Sequence, residues 1–141
     1  IHPFCDGNGR LGRVLINQQL LQLGYPPIIV QNKGKRSDYY PLFDRYRTMD
    51  KADGFTRLFV LLLIESLHKR IAYLTSRRIV PLSGWVKTAR LNASSVLNKA
   101  KRQTIPAFRI REKWMIDADY ELLDAPKESG SIFAGADTFN P

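Results

Sequence analysis

The stretch IHPFCDGNGRLGR, Ile1 to Arg13, crowds a histidine, an aspartate, a Gly-Asn-Gly triplet and a pair of arginines into one short segment. Glycine lets the backbone take positive φ and brings its N–H groups close to a ligand, an approach that a side chain would block. Gly7 and Gly9 therefore read as the wall of an anion cradle. The residues that follow place Leu11, Val14, Leu15, Leu20, Leu21 and Leu23 at helical spacing, with Gly24 as the C-terminal cap. The loop thus runs into a helix N-terminus, whose free N–H groups and positive dipole end favour an anion, while Arg10 and Arg13 add full charges and paired donors.

The residue types divide the chemistry. His2 titrates near neutrality and is the candidate general base. Asp6 offers the hard oxygen ligand that Mg²⁺ uses when it also holds substrate phosphates. Asn8 can donate its amide and tolerates turn geometry. Taken alone, Gly7-Asn8-Gly9 would read as a surface turn, with Asp6 a helix-entry residue and His2 incidental. Convergence of all these groups on one helix end, followed by two arginines, favours the phosphate reading.

HPFCDGNGRLGR resembles the signature of Fic domains, HPFx(D/E)GNGRxxR, with every specified position filled. The likeness continues into GYPPIIVQNKGKRSDYYPLF and so takes in the first half of the chain. The resemblance implies an all-helical Fic core and transfer of AMP from ATP to a protein Ser, Thr or Tyr hydroxyl, with release of pyrophosphate. Carried over residue by residue, His2 would deprotonate the target hydroxyl and Asp6 would bind Mg²⁺. Gly7, Asn8, Gly9 and Arg10 would hold the phosphates, and Arg13 would reach the terminal one. Tyr39 and Tyr40 match a pair that lines the adenine pocket in related proteins, although two tyrosines opening a helix also read as core and rim.

Composition sets the frame around this motif. At 141 residues and a formal net charge of +9, the chain holds one ordinary domain or two small ones. The longest apolar run, Leu58 to Ile64, is far short of the ~20 residues of a membrane helix and reads as a buried helix. One cysteine, Cys5, excludes an internal disulfide and fits a reducing, cytoplasmic setting. It occupies the variable position of the signature, which assigns it no task. Because Ile1 opens the chain directly on the motif, the expectation is a piece of a longer protein, the C-terminal part of a Fic core. The preceding half would supply helices packing under the motif and a β-hairpin flap that positions the target.

Farther on, Ser37 or Asp38 can cap a helix through Arg47, with Pro41 in its first turn, where a missing N–H costs little. A second cap is offered near Asp53. From there Phe55, Leu58, Phe59, Leu62, Leu63, Leu67, Ile71 and Leu74 form a broad apolar stripe of period near 3.6, the pattern of a core helix. His68, beside Lys69 and Arg70, reads as a surface histidine near the helix C-terminus.

The rhythm changes at Arg77. Lys87 to Leu91 closes a short helix, a turn opens at Asn92 or Ala93, and Ser94 to Ala100 continues as a second helix. AFRI and KWMI then alternate about Arg111-Glu112 as a β-hairpin would. Two short helices and a hairpin make a winged helix-turn-helix, and the stretch resembles excisionase or MerR-type DNA-binding modules, although its turn lacks the common glycine. From Arg78 to Ile116 nine Lys or Arg stand against Glu112 alone, which suits contacts to DNA phosphates. Lys99, Lys101 and Arg102 would lie late in the recognition helix, Ser94, Ser95 and Asn98 near base edges, and Arg111 and Lys113 on the wing. A solvated basic face, or a surface for an acidic protein, accounts for the same charge.

The expected organisation is mainly α: residues 1–77 as the C-terminal part of the Fic domain with its catalytic loop, 78–124 as the winged helix-turn-helix, and 125–141 as a flexible tail. The function expected is protein adenylyltransferase activity with an attached DNA-binding or regulatory module. The alternative is a DNA-binding segment whose Fic part is inactive without its missing helices. ATP as substrate and Mg²⁺ as the ion follow from the resemblance. A protein hydroxyl is the first partner, double-stranded DNA and a second copy in a homodimer are the further ones considered, and no membrane partner is expected.

Overall fold

The computed structural model describes residues 3–30, 39–49 and 51–122. Helix α1 (Asn8–Gln22) starts after Gly7, which holds the left-handed conformation at φ 83° and ψ 0°. It ends at Leu23 with Gly24 at φ 80°. There the N–H of Tyr25 donates to Leu20 O at 2.8 Å and that of Gly24 to Leu21 O at 3.0 Å, the paired closure of a Schellman cap expected of a glycine at this position. The chain then doubles back as a strap. Asn17 holds it from α1, donating to Ile28 O at 3.0 Å and accepting from Ile28 N–H at 2.8 Å.

Helix α2 (Tyr40–Met49) carries Pro41 in its first turn as expected, while the proposed caps Ser37 and Asp38 lie outside the described residues. Helix α3 (Asp53–Thr75) is longer, and its N-cap is Ala52, so Asp53 sits inside the first turn rather than capping it. A carboxylate there still faces the positive end of the helix dipole. Phe43 and Phe55 meet edge-on at 4.9 Å and Tyr39 meets Phe43 at 5.1 Å, which joins the two helices through aromatic rings. About three turns farther along the same side of α3, the Ser66 hydroxyl donates to Pro27 O at 2.8 Å and holds the strap.

The expectation that α3 is a core helix holds only in part. Leu62 and Ala72 are buried, whereas Val60, Ile71 and Tyr73 are exposed and Leu74 is 85% exposed. Helix α1 has no buried residue, and Val14, Leu15, Leu21 and Leu23 are all exposed. Periodicity reports which faces are apolar, and it says nothing of what covers them.

The remaining elements are β1 (Ile79–Pro81), α4 (Leu82–Thr88), α5 (Ala93–Lys101), β2 (Phe108–Ile110) and β3 (Lys113–Asp117). The strands form one antiparallel sheet in the order β1-β3-β2, with Val80 opposite Ile116 and Arg109 opposite Trp114. The expected hairpin is thus joined by a third strand, β1, which follows the change of rhythm at Arg77 and forms a sheet edge. Arg111 and Glu112 take φ 46° and 68°, the twist a two-residue hairpin connection requires. Asn92 caps α5 by accepting the Ser95 N–H at 3.0 Å. Leu82, Trp85, Val86, Val96, Ala100, Ile105, Ala107 and Ile116 make one apolar core between these helices and the sheet. Burying a side chain such as Ile116 fully contributes ~1.5–3 kcal/mol.

Three contacts fasten this unit to α3. Glu65 accepts from Arg109 Nε at 2.9 Å, Arg109 Nη2 at 2.7 Å and the Arg109 backbone N–H at 3.0 Å. Phe108 meets Tyr73 at 6.2 Å between ring centres. His68 is half-buried rather than a surface residue, and its Nδ1 lies 2.9 Å from Gln103 Oε1. Gln103 Nε2 donates to the carbonyls of Ala100 and Ala107 at 2.8 and 3.1 Å, so the amide oxygen faces His68 and Nδ1 must carry the proton.

Candidate functional site

The loop before α1 is organised by its own side chains. Asn8 closes a ring with Phe4, accepting the Phe4 N–H at 3.1 Å and donating to Phe4 O at 2.6 Å. Asp6 Oδ1 accepts the Gly7 N–H at 2.6 Å, and its Oδ2 lies 3.7 Å from Arg10 Nη2. With side chains 97% and 77% exposed, that ion pair contributes ~0–1 kcal/mol and leaves both groups accessible. The first α1 hydrogen bonds run from Arg10 and Leu11 to Gly7 O, at 2.9 and 3.0 Å. Among the described residues, the N–H groups of Asn8 and Gly9 have no acceptor. Two such donors at a helix start, with Arg10 one and Arg13 four positions further along, can hold an anion.

The structure therefore brings Asp6, Gly7, Asn8, Gly9, Arg10 and Arg13 together at one end of α1. His2 lies outside the described residues. Tyr39 and Tyr40 divide the two roles foreseen for them. Tyr39 is buried at 7% exposure against Tyr40, Phe43 and Phe55, and Tyr40 stands half open to solvent on the rim. Burial pushes the Tyr39 phenol above its ordinary range, partly offset by the Arg13 guanidinium.

A metal would find Asp6 as its one carboxylate at the loop, and no cluster of three His, Cys, Asp or Glu exists among the described residues. Such a donor set suits Mg²⁺, which is commonly held by one or two carboxylates together with substrate phosphates. Cys5 is exposed beside the loop.

On α5, Ser94, Ser95, Asn98, Lys101 and Arg102 are exposed, and positions 94, 98, 101 and 102 share a face. Lys99 is half-buried, and its carbonyl accepts the Thr104 N–H and hydroxyl at 3.1 and 3.2 Å. Arg111 and Lys113 are exposed at the hairpin. Arg109, counted by sequence among the cations of this unit, is turned to Glu65, with its guanidinium 5.0 Å from the centre of the Trp114 ring. Sequence reading missed Asn17, Glu65 and Gln103. A helix-interior Asn and a Glu in an apolar helix are the signals that could have flagged the first two.

Residues 1–20 match the model of the Fic/DOC family. Relatives follow the same line. The chain is 39% identical over 83 residues to a protein adenylyltransferase Fic of Nematostella vectensis, an overlap of 58% of this chain and 18% of that protein. It is 58% identical over 40 residues to the proteins of that name from Drosophila grimshawi and Drosophila melanogaster, overlaps of 28% of this chain and 8% of each of those. The family match and these relatives support a Fic-domain protein. The chain spans less than a fifth of the length of the curated relatives it matches. No solved structure matches it. No helix among the described residues is long and apolar enough to cross a membrane.

Proposed function

We propose that the protein to which this chain corresponds is an adenylyltransferase that transfers AMP from ATP to a hydroxyl of a protein side chain. The observation that carries this reading is the loop itself. The Asn8–Phe4 ring fixes a turn at the start of α1, two backbone N–H groups there have no acceptor among the described residues, and Arg10 and Arg13 follow. His2 takes the proton from a Ser, Thr or Tyr hydroxyl as its oxygen bonds to the α-phosphorus of ATP, and pyrophosphate departs. Gly7, Asn8, Gly9 and Arg10 hold the phosphates, Arg13 the terminal one, and Asp6 is the residue that would hold Mg²⁺. The ion would neutralise charge between the phosphates. Tyr39 supports the base-binding wall from beneath, and Tyr40 is exposed where adenine would lie. The bare apolar faces of α1 and α3 fit packing by helices that precede the motif.

Incubation of the full-length protein with labelled ATP, Mg²⁺ and cell extract tests the reading. Label on protein that disappears with His2→Ala supports it, and no label with either protein sinks it.

A second reading concerns the C-terminal unit, residues 78–124 as first divided. Its two short helices, capped by Asn92 and followed by a hairpin, suit a winged helix-turn-helix that binds double-stranded DNA. The exposed, carboxylate-free face of α5 favours it. Ser94, Ser95 and Asn98 would meet base edges, and Lys101, Arg102, Arg111 and Lys113 the phosphates. Lys99, with its half-buried position, contributes less.

A further inference from the structure

A cleft of about 490 Å³ lies where α2, α3, α5 and the hairpin meet, lined by Leu42, Leu58 and Leu61 on an apolar floor with Trp114 at one wall. Arg45, Arg57 and Lys101 open into it from three different helices. Its fourth cation, Arg109, is paired with Glu65, the cleft's one carboxylate. Among the described residues Arg45, Arg57 and Lys101 have no ion-pair partner. Three like charges gathered around an apolar cleft repel one another, and among the described residues no carboxylate pairs with them. Surface cations are usually interspersed with carboxylates, and a set without them suits an occupant with several negative charges.

We propose that this junction cleft binds a small polyphosphorylated molecule that also carries an aromatic or apolar group, a ligand of nucleotide size. The volume falls within the range of small-molecule sites, and an apolar floor with a few convergent polar groups is their usual composition. The guanidinium and ammonium groups take the phosphates by charge-assisted hydrogen bonds, and the leucine floor takes the apolar part. A DNA duplex is too wide to enter between α2 and α3, so the occupant of the cleft itself is a smaller molecule. The site is separate from the loop at the start of α1 and does not depend on the transfer reaction proposed above. Because its walls come from both sides of the Glu65–Arg109 contact, a bound ligand would bridge α2 and α3 to the C-terminal unit.

The test uses the whole ¹⁵N-labelled chain and follows the indole N–H of Trp114 during titration with ATP, with inorganic tripolyphosphate and with a short DNA duplex. Trp114 lines the cleft and no residue of α1 does, so the cleft variants separate binding here from binding at the α1 loop. The expected result is a saturable shift with ATP, reached at roughly tenfold lower concentration than with tripolyphosphate. Each of Arg45→Ala, Arg57→Ala and Lys101→Ala should weaken ATP at this reporter by about tenfold, while Lys87→Ala, an exposed cation away from the cleft, should not. Circular dichroism confirms that the variants fold. No saturable shift with ATP, or one indifferent to all three cleft variants, overturns the proposal. Equal affinity for tripolyphosphate overturns the assignment of an apolar group, and a shift with the duplex alone gives the cations to nucleic acid and overturns it as well.

Discussion

Arg109 illustrates how far a residue type can mislead when only composition is read. It counts as one of nine positive charges in its segment, yet both faces of its guanidinium network are committed, to Glu65 along one edge and to Trp114 beneath. Its side chain is 25% exposed and that of Glu65 13%. Removing one partner strands a largely desolvated charge, so Arg109→Ala is expected to lower stability by about 3 kcal/mol. Replacing both, as Glu65→Leu with Arg109→Met, should lower it by less than the single change, because no lone charge remains. Denaturant unfolding of the two variants checks this, and equal losses would show that the pair is held by packing alone. Asp117 is a milder case. The Asp119 backbone N–H, 3.0 Å away, holds its carboxyl below the usual range, helped by the nearby Ser76 hydroxyl. The hydroxyl itself meets no partner in hydrogen-bond geometry, so the backbone contact is the firmer cause. A depressed pKa gives a contribution present above the unfolded value and lost as pH falls through the folded one.

At the scale of elements, three helices end in the same way and only one does so with glycine. α1 closes on Gly24, whereas α4 closes on Arg90 at φ 53° and α5 on Gln103 at φ 56°. In both, the paired bonds of the Schellman cap are intact: Leu91 N–H donates to Val86 O at 3.1 Å and Thr104 N–H to Lys99 O at 3.1 Å. The turn between α4 and α5 lacks the glycine expected of a helix-turn-helix, and Arg90 occupies the left-handed position in its place. A Cβ in that conformation costs ~1–2 kcal/mol. Arg90→Gly should therefore raise stability by about 1 kcal/mol, read as an increase in Tm of several degrees. An unchanged or lower Tm would mean that the arginine side chain makes up the strain. Gln103 differs, since its amide bonds Ala100, Ala107 and His68 and its loss would undo more than it relieves.

Across the whole molecule, legibility followed the distance over which each feature is determined. The loop and the start of α1 were readable because Gly7, Asn8 and the arginines act within a few residues of one another. The same holds for the Gly24 cap, for Pro41 in the first turn of α2 and for the hairpin about Arg111-Glu112. β1 was not readable, because three residues become a strand only by pairing with Asp117, Ile116 and Met115 far along the chain. Nor could sequence say that His68 faces Gln103, that Tyr39 is buried while Tyr40 is not, or that much of the α3 stripe lies bare. The DNA reading is a property of this scale too, since it rests on charge summed over α5 and the wing. If it holds, mobility shifts should weaken steeply with salt, and Arg102→Ala with Arg111→Ala should reduce the slope of log K against log salt by roughly two. A slope that does not change, or no shift at low salt, counts against it.

The strap between α1 and α3 has a consequence for how the molecule tolerates change. Asn17 grips it through the amide and carbonyl of Ile28, and Ser66 through the carbonyl of Pro27, so the hydrogen bonds from both helices go to main-chain atoms. Such bonds do not depend on the side chains of the strap's exposed positions, whereas the buried Ile28 is fixed by its packing. The gap between the motif helix and α3 is in effect machined to a fixed gauge, and drift at the strap's exposed positions, Tyr25 and Ile29, leaves the anion cradle in register with α3.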